Sequence, residues 1–213
     1  METNSQIKSA YDKVRRIFNK LDFSLSSKDK LRPSSFNEIK TFKDAVRTLG
    51  LNLDWISIII SELEKISKAS AATFKLNIVK KALNLGQDLH LARNPENSYL
   101  YYPFIPLLAV SGYNWFHREL TSGEMEVIGM VKSDGEEYYV LGGSTEDCGY
   151  KGFGCFGPEK SIGGGYANVG FMGCASREIS QHLSRYFGML VTEAKYGDLP
   201  DFEIIEEKYK NVL

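Results

Sequence analysis

Residues 169–191, VGFMGCASREISQHLSRYFGMLV, contain the residue types from which anion sites and nucleophile sites are built. A Gly-rich approach that includes Cys174 runs into an amphipathic segment whose capping residue is Ser176. Backbone N–H groups at a helix N-terminus bind anions, and the same position lowers the pKa of a cysteine thiol. The pattern therefore allows a small-ligand or nucleotide site, with candidate binding residues Gly163, Gly164, Gly165, Ser176 and Arg177.

A packing role is the favoured interpretation of the same stretch. His182 follows Cys174 by more than two helical turns of about 5.4 Å each, so it is not placed to act as a base for the thiol. The Gly-rich run also lacks the Gly-Lys-Ser/Thr ending of a P-loop and the GxGxxG dinucleotide pattern. We therefore assign no catalytic residue and expect a closing strand followed by a packing helix.

The cysteines and histidines are poorly spaced for a metal site. Structural zinc sites use closely spaced pairs such as CxxC, whereas Cys148, Cys155 and Cys174 are far apart and no HxxxH occurs. Three cysteines are an odd number, which argues against a disulfide framework. The sequence predicts three reduced thiols, no metal and no cofactor.

Aromatic residues are crowded between residues 99 and 116. Tyrosine and tryptophan are enriched where proteins bind partners, so this cluster is a candidate interaction surface. Aromatic side chains also carry the largest apolar area per residue, which the core of a small sheet needs. Both interpretations stay open, and the candidate surface residues are Tyr101, Tyr102, Tyr113 and Trp115.

Residues 1–95 have the periodicity of a helical region. Apolar residues recur at helical spacing from residue 5 to 21, on a stripe made of Ile7, Ala10, Tyr11, Val14, Ile17, Phe18 and Leu21. A short helix that follows has the capping-box pair Thr41 and Asp44 and ends at Gly50. Two further helices are predicted, one capped by Asp54 and one that ends at Gly86.

Residues 96–213 are predicted to form a small α+β domain. Two β-prone runs flank Asp134 and Gly135, a pair that favours positive φ angles, and predict a β-hairpin over residues 125–141. Ser176 as a cap and a broad apolar stripe predict a helix over residues 176–195. The expected fold class is α+β: an N-terminal helical half packs with a small antiparallel sheet, which a C-terminal amphipathic helix closes.

Charge is distributed unevenly along the chain, although the total is −1. Residues 1–95 hold 17 Lys and Arg against 10 Asp and Glu, and residues 96–213 hold 9 against 17. The halves either attract each other or present a basic face to an acidic partner; nucleic acid binding through residues 1–95 is allowed but not favoured. The polar N-terminus and the absence of a long apolar run predict neither a secretion signal nor a membrane partner.

Four stretches, taken in order, resemble an uncharacterised protein family encoded by bacteriophages, prophages and mobile elements of gut bacteria. They are IKTFKDAVRTLGL, KLNIVKKALNLG, YYPF and ASREISQHLSRYFGMLV, and the resemblance covers roughly residues 38–195. The family has a Thr-Phe-x-Asp-Ala motif, an Ala-Leu-Asn helix end, a Tyr-Tyr-Pro motif and a strand before a Ser-x-Glu helix. Aligning Ser176 and Glu178 with that helix start places Gly173, not Cys174, at the family's cysteine position, which further weakens a nucleophilic role.

The resemblance implies a context rather than a chemistry. We expect a non-enzymatic phage-encoded protein, either structural and virion-associated or an accessory protein that binds a macromolecule. The expected partner is a protein, such as another virion protein or a second copy of the chain, and the expected location is the host cytoplasm or the virion itself. The alternative is a small-ligand or nucleotide-binding protein, or an enzyme, that uses the Gly-rich loop 163–173 and the helix N-terminus at Ser176.

Overall fold

The computed structural model describes residues 35–84, 100–111, 116–148 and 173–210, which form an α+β fold. The first range is helical, with a 3-10 turn at Phe36–Glu38 followed by α1 (Phe42–Thr48), α2 (Leu53–Glu64) and α3 (Lys68–Leu83). The other ranges contain α4 (His117–Ser122), α5 (Arg177–Tyr196) and six strands. The helix predicted over residues 5–21 lies outside the described residues.

Four strands form an antiparallel sheet in the order β2-β4-β3-β6; they are β2 (Leu107–Ala109), β3 (Glu126–Ser133), β4 (Glu136–Gly142) and β6 (Glu203–Glu207). A second antiparallel pair joins β1 (Leu100–Phe104) to β5 (Ser144–Cys148). β1 leads into β2 and β4 leads into β5, so this pair extends the sheet across a bend. Gly143 lies at the bend with φ 105°, a backbone conformation that side-chain-bearing residues rarely adopt.

The predicted hairpin is present, displaced by one residue from the predicted bounds. β3 and β4 pair from Glu126 opposite Gly142 to Ser133 opposite Glu136. Asp134 and Gly135 connect them with φ angles of 51° and 77°, the positive values that a two-residue turn of this kind requires. Local turn chemistry therefore determines the register of the central strand pair.

The helix caps agree with the sequence patterns at α1 and α5 and differ at α2. Thr41 and Asp44 form the predicted capping box, in which each side chain accepts from the backbone N–H of the other residue. The prediction that Asp54 caps α2 is wrong, because Asn52 Oδ1 accepts from the N–H groups of Asp54 and Trp55 at 3.0 and 3.1 Å. The helix begins directly after Asn52, so Asp54 lies in its first turn.

Helix α5 lies between α3 on one side and strands β1, β3, β4 and β5 on the other. Its predicted apolar stripe includes Leu183 and Phe187, both with no exposed area. Residues on other sides of α5 are buried as well, among them Ser180, Ser184 and Gly188. The helix lies close to the sheet at Gly188, where a Cβ atom would lie 2.5 Å from Ile128 Cδ1 of β3.

Two elements had no counterpart in the sequence patterns. The short helix α4 interrupts a stretch, residues 98–175, that was expected to be mostly strand and loop. The strand β6 follows the C-terminal helix and pairs with β3, where Ile204 lies opposite Val131. None of the described helices combines the length and apolar character needed to span a membrane.

Candidate functional site

The N-terminus of α5, where an anion site was predicted, is bonded to the chain's own side chains. Ser176 Oγ accepts from the N–H of Ile179 at 3.3 Å. The Glu178 carboxylate has a lowered pKa, first because its own backbone N–H donates to it and second because the Ser176 hydroxyl does. A protein carboxylate therefore occupies the place that a bound anion takes at other helix termini. Arg177 is exposed, and Gly163, Gly164 and Gly165 lie outside the described residues.

Cys174 is buried and poorly suited to be a nucleophile. Its side chain has no exposed area, and burial raises the pKa of the thiol to about 12. The expectation of a lowered pKa next to a helix N-terminus is therefore wrong, because burial of the thiol outweighs the lowering effect of the Lys80 charge. The backbone of Cys174 pairs instead with Tyr101 through two hydrogen bonds of 2.8 and 3.2 Å.

The structure describes two of the four residues that the sequence proposed as an aromatic interaction surface. Tyr101 is half-buried in β1 beside Cys174. Tyr102 also lies in β1, with its backbone opposite Glu146. Tyr113 and Trp115 lie outside the described residues. The described part of the chain places Tyr101 in a backbone pairing rather than in a cavity.

The cavity that the described residues do form is a groove along the N-terminal half of α5, with a volume of about 650 Å³. Five positions on one face of α5 form its floor, and Phe36 and Asn37 of the 3-10 turn form one wall. Glu124 and Gly143 form the opposite wall. The floor residues are Glu178, Gln181, His182, Arg185 and Tyr186, spaced at three and four residues as one helix face requires.

A row of aromatic rings runs along one side of this groove, which we name the α5 groove. The ring centroids of Phe36 and His182 are 5.4 Å apart in an edge-to-face arrangement. Those of His182 and Tyr186 are 4.5 Å apart, and Tyr209 continues the row at 4.7 Å from Tyr186. Residues from three separate parts of the chain thus present one continuous aromatic surface.

His182 is held as a neutral ring with a fixed tautomer. Its Nε2 atom lies 2.7 Å from the carbonyl oxygen of Ile39. A carbonyl only accepts, so Nε2 carries the hydrogen and Nδ1 is left as an acceptor. Burial lowers the pKa of His182, and the nearby Lys40 and Arg185 lower it further, while the bond to Ile39 opposes them. The side chain therefore offers a hydrogen-bond acceptor without a positive charge.

Contacts with Glu126, Gly123 and Glu124 hold the Arg185 side chain in place at the floor of the groove. Its Nε lies 3.1 Å from Glu126 Oε1, and its Nη2 donates to the carbonyl oxygens of Gly123 and Glu124 at 3.3 Å each. The absence of a side chain at Gly143 leaves space for the Arg185 guanidinium, because a Cβ there would lie 3.0 Å from Arg185 Nη2. The Glu126 carboxylate is shared between Arg185 and Lys208.

The remaining charges of the groove lining are negative. Glu124 and Glu178 are exposed carboxylates of the lining, and Arg185 shares the Glu126 carboxylate with Lys208. The lining therefore offers two exposed carboxylates as acceptors. Such a surface is complementary to a ligand that donates hydrogen bonds and carries a positive charge, such as a guanidinium or an ammonium group.

Sequence reasoning singled out His182 only as a cysteine partner and did not find the groove. The available signal was a second stripe on the predicted helix, with Glu178, Gln181, His182 and Arg185 at three- and four-residue spacing. The walls come from distant residues, so no local pattern identifies them. Within the described ranges, no cluster of three His, Cys, Asp or Glu side chains is arranged to hold a metal ion.

Comparison of the chain with protein-family models, with curated proteins and with solved structures finds no match.

Proposed function

We propose that the protein is a non-enzymatic binding protein that holds a cationic segment of a protein partner in the α5 groove. The observation that carries the proposal is the combination of an aromatic row with two exposed carboxylates, Glu124 and Glu178, around one cavity. Lysine and arginine side chains bind such surfaces through their aliphatic stems and charged ends together. In this proposal α5 both closes the small sheet and supplies the floor of the groove.

The groove residues are also rigid enough to serve as a preformed surface. His182 is hydrogen-bonded to Ile39, and Arg185 forms an ion pair with Glu126 and donates to two carbonyl groups. Fixed side chains lose little conformational entropy on binding, which favours recognition by a preformed site. A volume of about 650 Å³ accommodates one or two side chains of a peptide.

The resemblance to a phage-encoded family supplies the biological setting of the proposal. In that setting the partner is a phage or host protein, and the chain is either part of the virion or an accessory factor in the host cytoplasm. Mass spectrometry of purified particles distinguishes these two roles, because a virion component appears there at a defined copy number. The binding chemistry proposed for the α5 groove is the same in both.

The binding proposal is tested by NMR titration with a short arginine-containing peptide, acetyl-Ala-Arg-Phe-Arg-Ala-amide. Backbone amide signals of residues 178–186 are expected to shift as the peptide saturates the groove. A peptide in which glutamate replaces both arginines is expected to leave those signals in place. Equal shifts with both peptides, or shifts confined to other parts of the chain, would contradict the proposal.

A charge variant and a matched control test whether the carboxylates of the lining contribute to peptide affinity. The double change Glu124→Gln and Glu178→Gln keeps the size of both side chains and removes both carboxylates from the lining. It is expected to weaken peptide binding about tenfold, since each exposed charge contact is weak but both are removed. Glu137→Gln, an exposed change on β4, is expected to leave the affinity unchanged.

An anion site at the N-terminus of α5 is the competing interpretation, and one measurement separates the two. If phosphate or nucleotide bound there, millimolar concentrations would raise the melting temperature, and Ser176→Ala would remove the effect. We expect no such rise, because Glu178 and Ser176 already bond to the helix terminus.

A further inference from the structure

One lysine of the chain lies over the aromatic row of the α5 groove. The Lys40 ammonium is 5.6 Å from the centroid of the Tyr186 ring, a distance at which the face of the ring attracts a cation. Lys195 and Lys208 also lie over tyrosine rings, but in each case over the ring of the next residue in the sequence. Lys40 reaches Tyr186 from a different part of the fold, so the tertiary structure creates this contact.

The backbone on both sides of the Lys40 side chain is fixed. The carbonyl oxygen of Ile39 lies 2.7 Å from His182 Nε2. The N–H of Lys40 donates to Asp44 Oδ2 at 3.2 Å, and the same carboxylate belongs to the capping box of α1. The backbone at position 40 is therefore held beside the groove by bonds that do not involve the lysine side chain.

The Lys40 side chain is exposed and only weakly held. Among the described residues it forms no ion pair with a carboxylate, whereas Lys65, Lys75 and Lys208 each do. A cation–π contact of an exposed side chain is weak, because water solvates the ammonium almost as well. Lys40 can therefore leave the Tyr186 ring at a small cost in free energy.

We propose that Lys40 is an internal competitor of the ligand: its ammonium occupies the face of Tyr186 that binds a cationic side chain of the partner, and binding displaces it. This inference rests on the proposed function and adds the position of the cation within the groove. Tyr186 belongs to the floor, and its ring centroid is 4.5 Å from that of His182. An arginine of the partner is favoured over Lys40 at this ring, because a guanidinium stacks on aromatic faces and is more weakly hydrated than an ammonium.

Displacement is measured by NMR through the ε-methylene signal of Lys40, which is assigned by its loss in Lys40→Gln. In the free protein this signal is expected upfield of those of the other exposed lysines, because its protons lie over a ring face. Titration with acetyl-Ala-Arg-Phe-Arg-Ala-amide is expected to move it to the position of an exposed lysine, in step with the amide shifts of residues 178–186. A Lys40 signal that is not upfield in the free protein, or that stays upfield while those amides shift, would overturn the inference and leave the proposed function standing.

Affinity measurements with the same peptide give the size of the competition. Lys40→Gln is expected to tighten peptide binding about two- to fivefold, the equivalent of one cation–π contact of an exposed side chain. Lys40→Arg keeps a cation over the ring and is expected not to tighten binding. Lys43→Gln is the matched control, because it removes the same charge from an exposed position of α1. At about 0.15 M salt, where charges more than about 8 Å apart are largely screened, it is expected to leave the affinity unchanged.

The outcomes separate this inference from the proposed function. Equal affinities of the unsubstituted chain and Lys40→Gln, or an equal gain in Lys43→Gln, would overturn the role of Lys40 while peptide binding itself remained. Peptide binding by Lys40→Gln that is tighter than that of both the unsubstituted chain and Lys43→Gln would support it. Absence of binding by the unsubstituted chain and by Lys40→Gln alike would contradict the proposed function, and this inference with it.

Discussion

The buried hydroxyl of Ser184 allows a direct test of how α5 is attached to the sheet. Ser184 Oγ accepts from the backbone N–H of Gly143 at 3.0 Å and donates to the carbonyl oxygen of Phe104 at 2.9 Å. These two backbone groups lie at the bend where β1 leads into β2 and β4 leads into β5. One side chain therefore bonds a backbone donor and a backbone acceptor at this bend.

The expected cost of Ser184→Ala follows from these two bonds. Loss of the partner of the Gly143 N–H costs about 1–3 kcal/mol, and loss of the bond to Phe104 costs about 0.5–1.5 kcal/mol. Alanine returns about 0.5 kcal/mol through its higher helix propensity. We expect the free energy of unfolding to fall by about 1–4 kcal/mol, which for a chain of this size corresponds to a drop in melting temperature of about 2–16 °C.

Ser180 provides a matched control one turn earlier on the same helix. Both serines have no exposed area, but the Ser180 hydroxyl has no hydrogen-bond partner among the described residues. Ser180→Ala is therefore expected to be neutral or slightly stabilising, because it removes a desolvated hydroxyl without breaking a bond. Urea and thermal unfolding of both variants measure the difference in their stability. Equal melting temperatures for Ser184→Ala and Ser180→Ala would refute the proposed bridge.

Three further outcomes are expected. Leu183→Ala removes a fully buried side chain and should lower the unfolding free energy by about 2–5 kcal/mol in urea titrations, against about 1 kcal/mol for loss of the cap in Ser176→Ala. The Cys174 thiol, with its pKa raised to about 12, should react with a thiol reagent at pH 8 only after unfolding. The lowered pKa of His182 stabilises the fold above the unfolded-state pKa of about 6.5. That contribution is lost as pH falls through the lower folded-state pKa, so stability should decline less between pH 7.5 and 5.5 in His182→Gln than in the unsubstituted chain.

Elements with strong local signals were predictable from the sequence. Asp134 and Gly135 specify the hairpin turn, and Thr41 with Asp44 specifies the start of α1, because each interaction lies within four residues. The α2 cap shows where such a signal is ambiguous. Asn52 and Asp54 are both good capping residues, and the sequence alone did not decide between them.

The α5 groove was not predictable, because its walls come from residues distant in sequence. Phe36 reaches the groove from before α1, and Glu124 from the loop after α4. Strand β6 was missed for the same reason, since a short run containing three glutamates shows little strand character until β3 offers it a partner. Cys174 had the position of a reactive cysteine, and only its complete burial reversed the expected direction of its pKa.

The amino-acid sequence by itself determined the α+β class, the hairpin and the amphipathic character of α5, because helical and strand periodicity, capping and turn formation act over a few residues. Only the tertiary structure decided what α5 packs against and which of its polar residues remain accessible. The physical reason is that burial is a property of the assembled layers. α3 and the sheet cover different sides of α5, and the side left open, from Glu178 to Tyr186, becomes the floor of the groove.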